Sequence, residues 1–123
     1  MPSIRILVCD DEENIRESIK LILEKEPYAL TFACNGQEAI EKLKSLKPDI
    51  VILDIKMPKL SGLDTINEIK SISPDTKIIM ISGYEQPEVV KEALRRGACD
   101  YLSKSFTGKQ LKNSIRTALK EKG

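Results

Sequence analysis

Four strand-like runs in this chain end in residues able to hold charge or donate a hydrogen bond. Asp54 closes the apolar run Ile50-Val51-Ile52-Leu53, and the pair Asp10-Asp11 closes Ile4-Arg5-Ile6-Leu7-Val8-Cys9. Ser82-Gly83 and Lys104 stand at the ends of two later runs. Runs rich in Ile, Val and Leu read as strands buried on both faces, the pattern of a parallel sheet covered by helices. Open α/β sheets bind their ligands outside the carboxyl ends of such strands. Carboxylates crowded along that edge repel unless a cation draws them together. Asp10, Asp11 and Asp54 therefore predict a metal-assisted site.

What the chain lacks narrows that chemistry. Its 123 residues include no histidine, which excludes His-dependent triads, His-ligated zinc and a phosphohistidine carrier. Lys and Arg total 20 against 19 Asp and Glu, so a net charge of +1 argues for neither nucleic acid nor a membrane surface. Cys9, Cys34 and Cys99 are far apart and in no metal-type spacing, and read as free thiols of a reducing compartment. No apolar stretch approaches the ~20 residues of a membrane span, and the N-terminus shows no signal-peptide pattern. A cytoplasmic chain forming one domain over residues 1–123 is expected.

The elements that must position these residues alternate. Strands are predicted at Ile4–Cys9, Ala29–Ala33, Ile50–Asp54, Lys77–Ser82 and Asp100–Leu102. Between them, apolar residues recur at helical spacing: Ile15, Ile19, Ile22 and Leu23, then Ala39, Ile40, Leu43 and Leu46, then Leu63, Ile66 and Ile69. Val90, Ala93 and Leu94 mark a fourth helix, and Leu111, Ile115, Ala118 and Leu119 a fifth. Asn35-Gly36-Gln37-Glu38 resembles a capping box, Ser61 suits the start of the third helix, and Pro87 and Gly97 suit the ends of the fourth. Strict βα alternation implies a mostly parallel sheet with right-handed crossovers. The expected fold is α/β, a (βα)5 flavodoxin-like three-layer sandwich with strand order 2-1-3-4-5. In that order strands one and three are neighbours, which sets Asp10, Asp11 and Asp54 side by side.

With these features in register, the chain resembles a response-regulator receiver domain of two-component signalling. The residues that carry the resemblance are Asp10-Asp11, Asp54 with Met57-Pro58 behind it, Ser82-Gly83, Tyr101 and Lys104. The resemblance implies that Asp54 accepts a phosphoryl group from a histidine kinase or a histidine phosphotransfer protein. It implies Mg²⁺ (or Mn²⁺) held by Asp11 and Asp54, by Asp10 largely through water, and by the backbone carbonyl of Lys56. Ser82, Gly83 and Lys104 would bind phosphoryl oxygens, and Ser82 with Tyr101 would form a switch acting on the fourth helix, fifth strand and fifth helix. The protein would be no conventional enzyme, though it assists its own phosphorylation and dephosphorylation.

Two places bear on how fast such a site works. Receivers usually carry Pro after the lysine with a cis peptide bond, whereas Ser105 follows Lys104 here. A cis bond before a non-proline residue is disfavoured by ~3–4 kcal/mol, so a trans or mixed bond is expected. Lys56 and Tyr84 resemble the pairing in sporulation-phosphorelay receivers, which implies shielding of the phosphoryl group from water and slow autodephosphorylation.

Other classes fit less well. An aspartate-nucleophile phosphatase needs a general acid two residues after the nucleophile, where Lys56 stands. A dinucleotide-binding fold lacks G-x-G-x-x-G after the first strand, and Asp10-Asp11-Glu12-Glu13 would repel a pyrophosphate. A degenerate receiver serving only as a binding module is the remaining alternative. A stand-alone receiver and the N-terminal part of a transcriptional regulator are both compatible with the chain. It would act on a downstream target or fused output domain, without binding nucleic acid directly, as a monomer or a phosphorylation-dependent dimer.

Overall fold

A computed structural model of the chain describes residues 3–55, 62–83 and 87–120. In chain order the elements are β1 (Ile4–Cys9), α1 (Glu13–Leu23), β2 (Tyr28–Ala33), α2 (Gly36–Leu46) and β3 (Ile50–Asp54). They continue as α3 (Gly62–Ile72), β4 (Lys77–Ser82), α4 (Pro87–Arg96), β5 (Asp100–Ser103) and α5 (Gly108–Lys120). All four strand pairings are parallel, and the sheet order is β2-β1-β3-β4-β5. This is the flavodoxin-like arrangement expected from the alternation.

Side chains of successive strand residues point to opposite faces, and the core divides accordingly. Leu7, Cys9, Val51, Leu53, Ile78 and Met80 pack against Ala39, Leu43, Ile66, Ile69 and Ala93 of α2, α3 and α4. Ile6, Val8, Ile50, Ile52, Ile79 and Ile81 pack against Ile19, Leu23, Leu111, Ile115 and Ala118 of α1 and α5. Burying both faces explains why these strands read as continuous apolar runs. No helix among the described residues is long and apolar enough to cross a membrane. All three cysteines are free, Cys9 buried and Cys34 exposed.

Helix ends follow local chemistry, with one departure. Asn35 caps α2 by accepting from the Glu38 amide at 2.8 Å, as its sequence predicts. The returning carboxylate takes the amide of Cys34, also at 2.8 Å, rather than that of Asn35. Asn35 is fully extended (φ −159°, ψ 170°), and the bond closes one residue upstream of a standard capping box. Thr107 and Gln110 form the reciprocal version ahead of α5. Gly97, at φ +123°, ends α4: its amide and that of Ala98 donate to Leu94 and Ala93, the pattern of a Schellman motif. Ser61, expected to cap the third helix, lies outside the described residues.

Candidate functional site

The parallel register brings the four chemistry-bearing strand ends to one edge. Val8 and Cys9 pair with Ile52 and Leu53, Asp54 pairs with Ile81, and Ser82 pairs with Ser103. Backbone bonds extend the ladder past the strand tips, from Ile55 N to Ile81 O and from Lys104 N to Ser82 O. The positions of Asp10, Asp54, Ser82 and Lys104 are thereby set by the sheet.

Lys104 gathers the acids. Its Nζ lies 3.0 Å from Asp54 Oδ2 and 3.7 Å from Asp10 Oδ1. Asp54 and Asp10 are almost completely buried, at 1% and 2% exposure, while Asp11 is exposed. Burial is the main reason the Asp10 carboxyl is pushed up to about 6, opposed by a bond from the Glu12 amide and reinforced by the charge of Asp54. For Lys104, partial burial works against the charged form. The bonds to Glu12 and Asp54 nonetheless outweigh it and hold the ammonium well above its ordinary value. Burial likewise drives the Cys9 thiol upward, so this sulfur beside the acids is an inert core group.

Cation chemistry fits the donors present. Asp10 Oδ2 is buried with no hydrogen-bond partner, and an unsatisfied buried carboxylate oxygen is costly unless something positive meets it. Asp10, Asp11 and Glu12 can bring one carboxylate oxygen each within 4.8 Å of one another. Hard oxygen donors of this kind suit Mg²⁺ or Mn²⁺. Of the expected ligands, the Lys56 carbonyl lies outside the described residues. So does Tyr84, and so do Met57 and Pro58.

The remaining predicted residues stand as follows. Ser82 is buried at the tip of β4, and Gly83 follows it. A Cβ on Gly83 would meet the Lys104 stem at an ordinary 3.8 Å. Tyr101 is half-buried and lines an open groove with Pro87, Val90 and Lys91 of α4. No cis peptide bond occurs among the described residues, so Lys104–Ser105 is trans. The Ser105 hydroxyl pairs with that of Ser103 at 2.8 Å.

Two residues escaped the sequence reading. Glu12 Oε1 lies 2.7 Å from Lys104 Nζ, a shorter contact than that of either aspartate. Its only signal was its place directly after the acidic pair, where an acid also suits a helix start. Gly62 opens α3 and donates its amide to Ile55 O at 2.9 Å. A Cβ there would come 2.5 Å from Ile55 Cα and 2.8 Å from Asp54 O, so only glycine lets the helix close on the Asp54 backbone.

Comparison with known proteins agrees with this geometry. The family described as the response regulator receiver domain matches residues 6–116. The chain is similar to the chemotaxis protein CheY of Thermotoga maritima, 42% identical over 103 residues, covering 83% of this chain and 86% of that protein. It is also similar to the transcriptional regulatory protein LnrK of Bacillus subtilis, 35% identical over 116 residues. That match covers 93% of this chain but only 53% of LnrK. Among solved structures, a CheY-like receiver domain protein from Methanospirillum hungatei superposes with a TM-score of 0.94 at 30% identity. The overlap takes in 98% of this chain and 97% of that one.

Proposed function

The chain belongs to the response-regulator receiver family of two-component systems, and from that premise we propose that it is a working phosphoacceptor with Asp54 as the acceptor. The observation that carries this reading is the buried Asp54 carboxylate with the Lys104 ammonium 3.0 Å away. Asp54 attacks phosphorus, a phosphohistidine nitrogen of a kinase or phosphotransfer protein leaves, and an acyl phosphate results. Phosphoryl transfer asks mainly for positioning and charge stabilisation, which this edge supplies.

Each residue has a share. Asp11, Asp54 and the Lys56 carbonyl would hold Mg²⁺, with Asp10 acting largely through water, and the ion would supply charge neutralisation and a template for phosphoryl oxygens. Lys104 turns its charge from Asp54 to a phosphoryl oxygen. The Ser82 hydroxyl and the Gly83 amide donate to the others. As Ser82 is drawn toward the phosphoryl group, the Tyr101 ring turns inward from the α4 groove and changes the α4–β5–α5 surface. Lys56 and Tyr84 shield the acyl phosphate from water and lengthen its life. The output is a docking partner or a fused domain, reached in the cytoplasm.

Incubation with acetyl phosphate and Mg²⁺, followed by intact mass measurement, tests the reading. The chain should gain the mass of one phosphoryl group, and Asp54→Asn should gain none. No gain by the parent chain would leave a receiver that only binds.

A further inference from the structure

Lys104 has a partner that the phosphoryl chemistry leaves unused. Its Nζ approaches Glu12 Oε1 to 2.7 Å, closer than the 3.0 Å to Asp54 and the 3.7 Å to Asp10. The pair joins the β1–α1 and β5–α5 loops across 92 positions of sequence. Glu12 occupies the N-cap position of α1, yet its side chain makes no capping bond there. Its carboxylate is committed across the site and not to its own helix.

A four-carbon lysine stem has much rotamer freedom to lose, and Gly83 beneath it has no side chain to hold it. Asp54 is a poor permanent anchor, because its charge is consumed when it becomes an acyl phosphate. Asp10 is engaged by the Glu12 amide through Oδ1, while Arg16 holds the Asp10 carbonyl. Glu12 is 55% exposed and lies outside the reacting bonds, so its contact with Lys104 is not consumed when Asp54 is phosphorylated.

We propose that Glu12 is a positioning residue whose carboxylate tethers Lys104 over Asp54, ready for an arriving phosphoryl group. The inference rests on the phosphoacceptor reading. It also competes with a second use of the same side chain, since Asp10, Asp11 and Glu12 can converge on one cation. The two uses separate cleanly. Losing a cation ligand weakens cation binding, whereas losing a tether spares it and releases the amine.

Three measurements on the full chain decide between them, using Glu12→Gln (reach without charge) and Glu12→Asp (charge without reach). They are acyl phosphate formation from phosphoramidate at saturating Mg²⁺, Mg²⁺ affinity by calorimetry, and Lys104 labelling by limiting acetic anhydride without Mg²⁺. Glu12→Gln should slow phosphorylation about three- to fivefold, as befits a half-exposed ion pair, and raise Lys104 labelling by a similar factor. Mg²⁺ affinity should hold within about twofold on the same grounds. Glu12→Asp should fall between Gln and the parent. Unchanged rate and labelling would overturn the tether, as would a large loss of Mg²⁺ affinity with labelling unchanged. A parent chain that takes no phosphoryl group would sink the phosphoacceptor reading instead. Lys104 labelling, which needs no transfer, would still decide the role of Glu12.

Discussion

β3 and β5 each deliver one charge to the site, yet they are built on different terms. All five residues of β3 are buried, and the strand is laced to β1 on one side and β4 on the other. Each of the four residues of β5 is only half-buried, and the strand pairs with β4 alone. The acid is therefore mounted in the most constrained part of the molecule, and the cation on an edge with a long flexible stem. If Asp54 is the phosphoacceptor proposed above, a nucleophile must not wander, whereas a charge-stabilising group must reach the phosphoryl group as it forms. The division of rigidity would then match that division of labour.

The sharpest test of this contrast uses one apolar cluster. Ile52 of β3 and Leu102 of β5 both pack in the layer covered by α1 and α5, Ile52 fully buried and Leu102 partly. Ile52→Ala should lower unfolding free energy by about 3–4 kcal/mol, and Leu102→Ala by about 1–2 kcal/mol. Urea denaturation measures both, and equal losses would break the comparison.

A smaller effect concerns the acids themselves. The Asp10 carboxyl rises from an ordinary 3.8 to about 6 in the folded chain, chiefly through burial. A raised acid favours folding while it is protonated in the native state. That contribution is complete below about pH 4 and lost as pH climbs through 6. With divalent cations chelated, Asp10→Asn should be more stable than the parent above pH 6 by about 1–2 kcal/mol, with no advantage below pH 4. Mg²⁺ should raise the melting temperature of the parent above pH 6 in a concentration-dependent way. A constant difference between parent and variant from pH 3 to 8 would contradict the assignment.

The smallest effect lies at the edge strand. Ser105→Pro would restrict the backbone beside Lys104 and should speed phosphorylation by acetyl phosphate about twofold. An unchanged rate would mean that the chain beyond β5 already aims the lysine as well as proline would.

How far the sequence could be read depended on where the information lay. Strands one, three and four are bounded by charges, turns or Pro beside dense apolar runs, and their limits agree with the structure. The second strand begins one residue early, at Tyr28, and the fifth runs one further, to Ser103. Both are edge strands, and their extra residues are set by backbone pairing with the neighbouring strand, Tyr28 with Ile4 and Ser103 with Ser82, and not by side-chain polarity. The convergence of Asp10, Asp54 and Lys104 was legible because parallel topology fixes which strand tips are neighbours. Glu12 was not, because it stands past the tip of β1 at the N-cap of α1, where strand order does not say which way a side chain turns. Gly62 was missed for a different reason. Its importance is steric, and a glycine before a helix looks the same whether or not a backbone presses on it.

That pressed backbone has a further consequence. With the first turn of α3 lying directly on the peptide that follows Asp54, there is no slack on that side for the chain to recoil when the carboxylate gains bulk and charge. On the phosphoacceptor reading proposed above, displacement at Asp54 would be turned the other way, toward β4 and the groove beside α4, and one missing methyl group would give the signal its direction.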